Sequence, residues 1–163
     1  MHALYLIWAA ALSTVSAGCY SPEPASQICY HAPNATPQNI QMADLEAAAR
    51  NLRNYQKAQL RHNKSPFWKM QASDADDCAE WRAMERNTVW VLVKHVGEGN
   101  AAVTFEDIAN TLVGGAQSLT SCGTDGGQMG VRTDDGSALY QLPEFRDGGY
   151  TNRGLLVKVV HKP

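Results

Sequence analysis

The chain predicts an α+β fold in which an antiparallel sheet carries its helices on one face, a two-layer α/β sandwich closed by two disulfides. Three observations lead there. Helix-period segments come early, the last third breaks into short apolar runs separated by Gly and Asp-Gly turns, and an even count of four cysteines sits in a chain of 163 residues. That length suits one domain, large enough to bury a core without a metal.

The first 17 residues read as an export signal. An apolar run from Ala3 to Leu12 is followed by small polar residues and by Val15-Ser16-Ala17, a small-residue site for a signal peptidase. The run is too short for a permanent membrane span, and no other stretch is long and apolar enough, so a secreted, extracellular product is expected. The sequons Asn34-Ala35-Thr36 and Asn63-Lys64-Ser65 mark Asn34 and Asn63 as glycosylation candidates, each with a proline directly after it.

Residues 18–37 carry Pro22, Pro24, Pro33 and Pro37 with little periodicity and read as an irregular, disulfide-tethered arm. Residues 38–163 form the single α+β domain. A helix follows Pro37, with Leu45, Ala48, Ala49, Leu52 and Tyr55 at helical spacing. Its other side and its continuation hold the only basic cluster: Arg50, Arg53, Lys57, Arg61, Lys64 and Lys69. Such a run is read first as a solvated face and second as a docking face for an anionic partner. Asn63 to Met70 reads as a connection. Ser73 then caps a second helix with Asp74, Asp76 and Asp77 in its first turn, and Cys78 and Trp81 facing inward.

Thr88 to Val96 is β-branched and aromatic, apolar on both faces, and reads as a covered strand. Thr104 and Asp107 open a third helix with a variant capping box; Phe105, Ile108, Leu112 and Leu119 share a stripe, and Ser121-Cys122-Gly123 closes it. Strands are expected over Gln128 to Arg132, Ala138 to Leu142 and Leu155 to His161, with Asp134-Asp135-Gly136 as a hairpin turn between the first two.

Charge narrows the functional classes. With 14 Lys and Arg against 16 Asp and Glu the net charge is −2, so nucleic acid is not an expected partner. A hydrophobic fraction of 44% excludes a disordered solvating chain. No nucleophile elbow, zinc helix, Walker loop or Cys-x-x-Cys pair is present, and neither cofactor nor metal is expected. The Gly123 to Gly130 stretch follows a helix rather than leading into one, so it suits a turn better than a phosphate cradle. His95 and His161 each end an apolar strand; if those strands are neighbours, the imidazoles can form an acid–base pair with ribonuclease-like chemistry. Trp81 and Trp90 read as core, which leaves Trp68 as the exposed platform for a carbohydrate-binding module. Among three possible pairings of Cys19, Cys29, Cys78 and Cys122, the favoured one is Cys19–Cys29 with Cys78–Cys122, and pairing of Cys29 with Cys78 is its competitor.

Two segments carry a resemblance. Thr104-Phe105-Glu106-Asp107-Ile108 through Leu112 to Ser121-Cys122-Gly123, with Gly126-Gly127-Gln128 after it, resembles the helix–Cys–Gly-Gly segment of small secreted proteins of filamentous fungi. Asn152-Arg153-Gly154-Leu155-Leu156-Val157 is similar to the last strand of fungal killer-toxin-like proteins, and the likeness spans about residues 74–160. It implies an α/β sandwich and an extracellular, effector-like protein that binds a host or competitor protein, or a cell-surface or cell-wall component, without catalysis. It assigns no functional residue. A monomer is expected.

Overall fold

The computed structural model describes residues 19–76 and 78–163; the segment 1–17 expected to be an export signal lies outside the described residues, as do Gly18 and Asp77. In chain order the elements are β1 (Ile28–Cys29), α1 (Met42–Arg61), β2 (Phe67–Met70), α2 (Ala72–Asp76), β3 (Glu80–Arg86), β4 (Val89–His95), β5 (Ala101–Thr104) and α3 (Phe105–Leu112). A 3-10 segment over Leu119–Asp125, β6 (Gly127–Gly130), a second 3-10 segment over Ala138–Gln141, α4 (Pro143–Arg146) and β7 (Leu155–His161) complete the fold. Five strands form an antiparallel sheet in the order β1-β6-β7-β4-β3, and β2 pairs with β5 in a separate antiparallel ribbon. The α+β class with two disulfides is therefore what the chain adopts.

Each long element follows its pattern. Leu45, Ala48, Ala49 and Leu52 of α1 are fully buried, while Tyr55 of the same stripe is left 45% exposed, and Asn63, at φ 52°, turns the chain so that the Lys64 N–H donates to the Gln59 carbonyl at 2.9 Å. In β4 the alternate residues Val89, Val91, Val93 and His95 are fully buried, with Trp90, Leu92 and Lys94 half-buried between them on the outer face. In α3 the Thr104 hydroxyl accepts the Asp107 N–H at 3.0 Å, closing the cap, and Ile108 and Leu112 enter the same core. This core lies between α1, α3 and the inner sheet face, where Val157 and Val159 of β7 meet Val93 and Val91 of β4. A smaller aromatic cluster of Phe67, Tyr140, Phe145 and Tyr150 covers the β2–β5 ribbon.

Four local expectations are corrected. The connection expected over Asn63 to Met70 ends in β2, because pairing with β5 buries Phe67 and Met70. The second helix stops after five residues, starting at Ala72 ahead of Ser73, and its expected continuation is the edge strand β3. The segment Glu80–Arg86 has helix-forming composition, yet pairing with β4 overrides propensity; its charges and a register slip at Ala83 blunt an exposed edge. The third helix ends at Leu112, so Leu119 reaches the core from the 3-10 segment instead. No hairpin forms at Asp134-Asp135-Gly136: Ala138–Gln141 is a 3-10 turn that buries Tyr140, and Pro143 opens α4.

The disulfides are Cys19–Cys78 and Cys29–Cys122, so neither the favoured pairing nor its competitor is realised. Backbone pairing explains this. The Cys19 N–H donates to the Ala75 carbonyl beside Cys78, while β1 sets Cys29 against Gly127, next to Cys122. The arm is thus bolted to the domain at two points rather than closed on itself. Its Ser21 N–H donates to Val96 and its Pro24 carbonyl accepts from Gly130, so it runs along one end of the sheet.

Candidate functional site

The two histidines do not meet. β4 and β7 are neighbours, but their antiparallel register sets His161 opposite Val89 and His95 opposite Leu155. Six residues of strand separate those positions, about 20 Å. His95 is fully buried and, among the described residues, has no hydrogen-bond partner at either ring nitrogen, whereas His161 is exposed. No acid–base pair forms from these residues.

The tryptophans reverse their expected places. Trp81 is 44% exposed on β3, and Trp90 lies half-buried on the outer sheet face with the Arg82 guanidinium 5.0 Å from its ring centre. Trp68 packs edge-on against Phe105 with its indole nitrogen buried and unpartnered. Asn34 and Asn63 both sit exposed in turns, each with a positive φ. Asp74 accepts from the Gln71 N–H at the start of α2. The Gly123 to Gly130 stretch is the turn into β6, where a side chain at Gly127 would meet the Cys122 sulfur at 2.9 Å.

The site that does form is a groove along α3. Three adjoining depressions of about 450, 350 and 180 Å³ share lining residues and so run into one another. Arg132 and Thr133 line the first and second; Asp107, Asn110 and Asp134 line the second and third. The first also holds Glu23 of the arm and Arg153, and the third ends at Gln56, Glu106 and Ser137. One end therefore mixes two arginines with Glu23, and the other carries carboxylates alone among its charged residues.

Most of these side chains are held in place from behind. Asp107 is buried, and its two carboxylate oxygens accept from the Asp134 N–H at 3.1 Å and the Tyr140 hydroxyl at 2.5 Å. Burial and the Asp107 charge hold the Tyr140 phenol far above the ordinary tyrosine range, so it stays a donor. Asn110 accepts from Arg53 at 2.9 Å, and Gln56 accepts the Glu106 N–H at 2.8 Å. Arg153 donates to Thr133 at 2.8 Å and to Asp135 at 2.7 Å. Glu23 accepts the N–H groups of Gly154 and Leu155 at 2.8 and 3.0 Å; burial raises its pKa, and those two donors partly offset the rise. Arg132 is exposed, and among the described residues its guanidinium makes one bond, to the Gly114 carbonyl at 3.5 Å. Its charge is the least committed in the groove.

Such an arrangement offers oriented donors and acceptors to an extended polar ligand. The hydroxyls nearest the carboxylates are engaged, Ser137 by the Leu139 N–H and Thr133 by Asp135 and Arg153. Sequence reasoning passed over Gln56, Asn110, Arg132 and Thr133, which come from segments far apart and belong to no motif; Arg153 lies in the fungal-like segment, where the resemblance gave it no role. Compared with known proteins, the chain matches no family model, no curated protein and no solved structure.

Proposed function

We propose that this is an exported, effector-like protein of the fungal killer-toxin-like kind, which binds a host or competitor target through the groove along α3 and performs no catalysis. The observation that carries the reading is the groove's preset pattern of charge: Arg132, Arg153 and Glu23 at one end, with Arg132 bound to no carboxylate among the described residues, and Asp107, Asp134 and Glu106 at the other. Complementary fields of this kind orient a partner and exclude wrong ones. Two disulfides support the oxidising compartment that the reading needs. No helix of the described residues is long and apolar enough to cross a membrane.

The test compares wild type with an Arg132→Gln/Arg153→Gln variant on target cells or tissue, alongside RNA and polysaccharide hydrolysis assays. The reading expects a cellular response that the double variant loses, without turnover of either polymer. Turnover that disappears in His95→Ala or His161→Ala would move the protein to the hydrolase class. Glycan binding that is lost in Trp81→Ala and untouched by the arginine changes would make it a carbohydrate-binding module.

A further inference from the structure

Between Glu46 and Asp74 the chain has no acidic residue, yet six cations fall there. The structure divides them. Arg53 reaches Asn110 and the Val113 carbonyl, Lys69 meets Glu144 at 2.8 Å, and Arg50 leans on Glu46 at 3.8 Å. Among the described residues, Lys57, Arg61 and Lys64 meet no carboxylate, and all three are exposed. Arg50, Lys57 and Arg61 share one face of α1 by their spacing of seven and four, and Lys64 follows just past the helix end. From Arg50 to Arg61 the row is about 16 Å long, and Lys64 sits at its end, where the chain folds back onto the last turn.

Internal stability does not account for this row. The helix C-terminus favours a cation in its last turn, which covers Arg61. Lys57 lies a turn earlier, four residues before Arg61, a spacing at which like charges repel. An external anion that runs along the helix removes that repulsion.

We propose that the row Lys57, Arg61 and Lys64, extended by Arg50, seats a linear carboxylated polysaccharide along the exposed side of α1. A single line of charges matches a linear polymer bearing one carboxylate per repeat. A lipid surface fits less well, because bilayer docking inserts apolar side chains beside the cations. Of the exposed large apolar side chains on α1, Tyr55 is packed edge-on against Phe105, which leaves the single Leu60, 41% exposed, to insert. None of the three unpaired cations lines the groove, so this surface stands independently of the reading proposed for it.

The experiment passes the oxidised protein over immobilised polygalacturonate and over the same polymer with its carboxylates methyl-esterified. Wild type binds the acid form and not the ester, and salt weakens the binding. Lys57→Gln/Arg61→Gln/Lys64→Gln weakens it at least about tenfold at low ionic strength, with an unchanged melting curve. The charge-keeping variant Lys57→Arg/Arg61→Lys/Lys64→Arg retains binding, as does the groove variant Arg132→Gln/Arg153→Gln. Equal retention on the ester, undiminished binding by the triple Gln variant, or tighter binding to equimolar phosphatidylcholine–phosphatidylserine vesicles or to polyuridylate would each overturn the proposal. Loss of binding only in the groove variant would do the same.

Discussion

The Tyr140 hydroxyl donates to the Asp107 carboxylate at 2.5 Å, and this buried contact fastens the segment after β6 to the first turn of α3. The same phenol oxygen accepts the Thr104 N–H at 3.3 Å, so one side chain serves two elements. Tyr140→Phe removes the partner of the buried Thr104 N–H and of one Asp107 oxygen, whose fellow oxygen keeps the Asp134 N–H, a cost of about 1–3 kcal/mol. Urea unfolding should show that loss together with faster amide exchange around Asp134. A variant as stable as wild type would show that the contact does not hold the segment.

His95 gives the opposite result. Its ring nitrogens contribute no bond, so the imidazole acts as core volume. His95→Leu is expected to be neutral or stabilising, while His95→Ala opens a cavity and costs about 2–4 kcal/mol. Neither should alter the proposed binding of a target through the groove. A loss of binding in a stable His95→Leu protein would give the histidine a functional role.

The pH dependence of stability carries two opposite signs. Burial lifts the Glu23 carboxyl above its ordinary pKa, so the folded state binds this proton more readily than the unfolded chain. Its contribution is present below the ordinary carboxylate pKa, about 4.3, and is lost as pH rises through the higher folded value. Hydrogen bonds from Thr88 and Asn87 hold Asp44 below its ordinary value, so its contribution is present above about pH 4 and is lost as pH falls through the depressed folded value. Thermal melts of Glu23→Gln and Asp44→Asn across that range should each flatten one side of the wild-type profile. The same change in both variants would contradict these assignments.

Reduction should proceed in order. Cys78 is exposed, whereas Cys122 is buried at 4%. A mild reductant followed by alkylation and peptide mapping should label Cys19 and Cys78 before Cys29 and Cys122. In the chain-entropy model each bridge contributes about 4–5 kcal/mol, with loop lengths set by separations of 59 and 93 residues. Labelling of Cys29 and Cys122 first would reverse the assigned order.

What the sequence revealed depended on the range of the forces involved. α1, β4, α3 and β7 have periodicity or runs long enough to determine their own state, and the Thr104–Asp107 cap is a three-residue signal. β3 and β2 depend on partners elsewhere in the chain, and Glu80–Arg86 reads as helix until β4 lies beside it. The disulfide pairing is long-range for the same reason: nearness along the chain favours Cys19–Cys29, while strand pairing places Cys29 beside Cys122. The groove was hidden more completely. Gln56, Asn110, Arg132 and Arg153 have no common spacing, and only the packing of α1, α3 and the strand ends brings them together.

The two bridges interlace: Cys19 and Cys29 precede both of their partners, Cys78 and Cys122. If the chain is made in an oxidising compartment, as the proposed export requires, these two thiols emerge first, with only each other within the chain to react with. A wrong bridge is then the kinetically easy product, and the native pair must displace it by exchange once the later thiols arrive. Recovery of the native protein therefore depends on a redox shuffle or an isomerase, and air oxidation alone should leave much of it trapped.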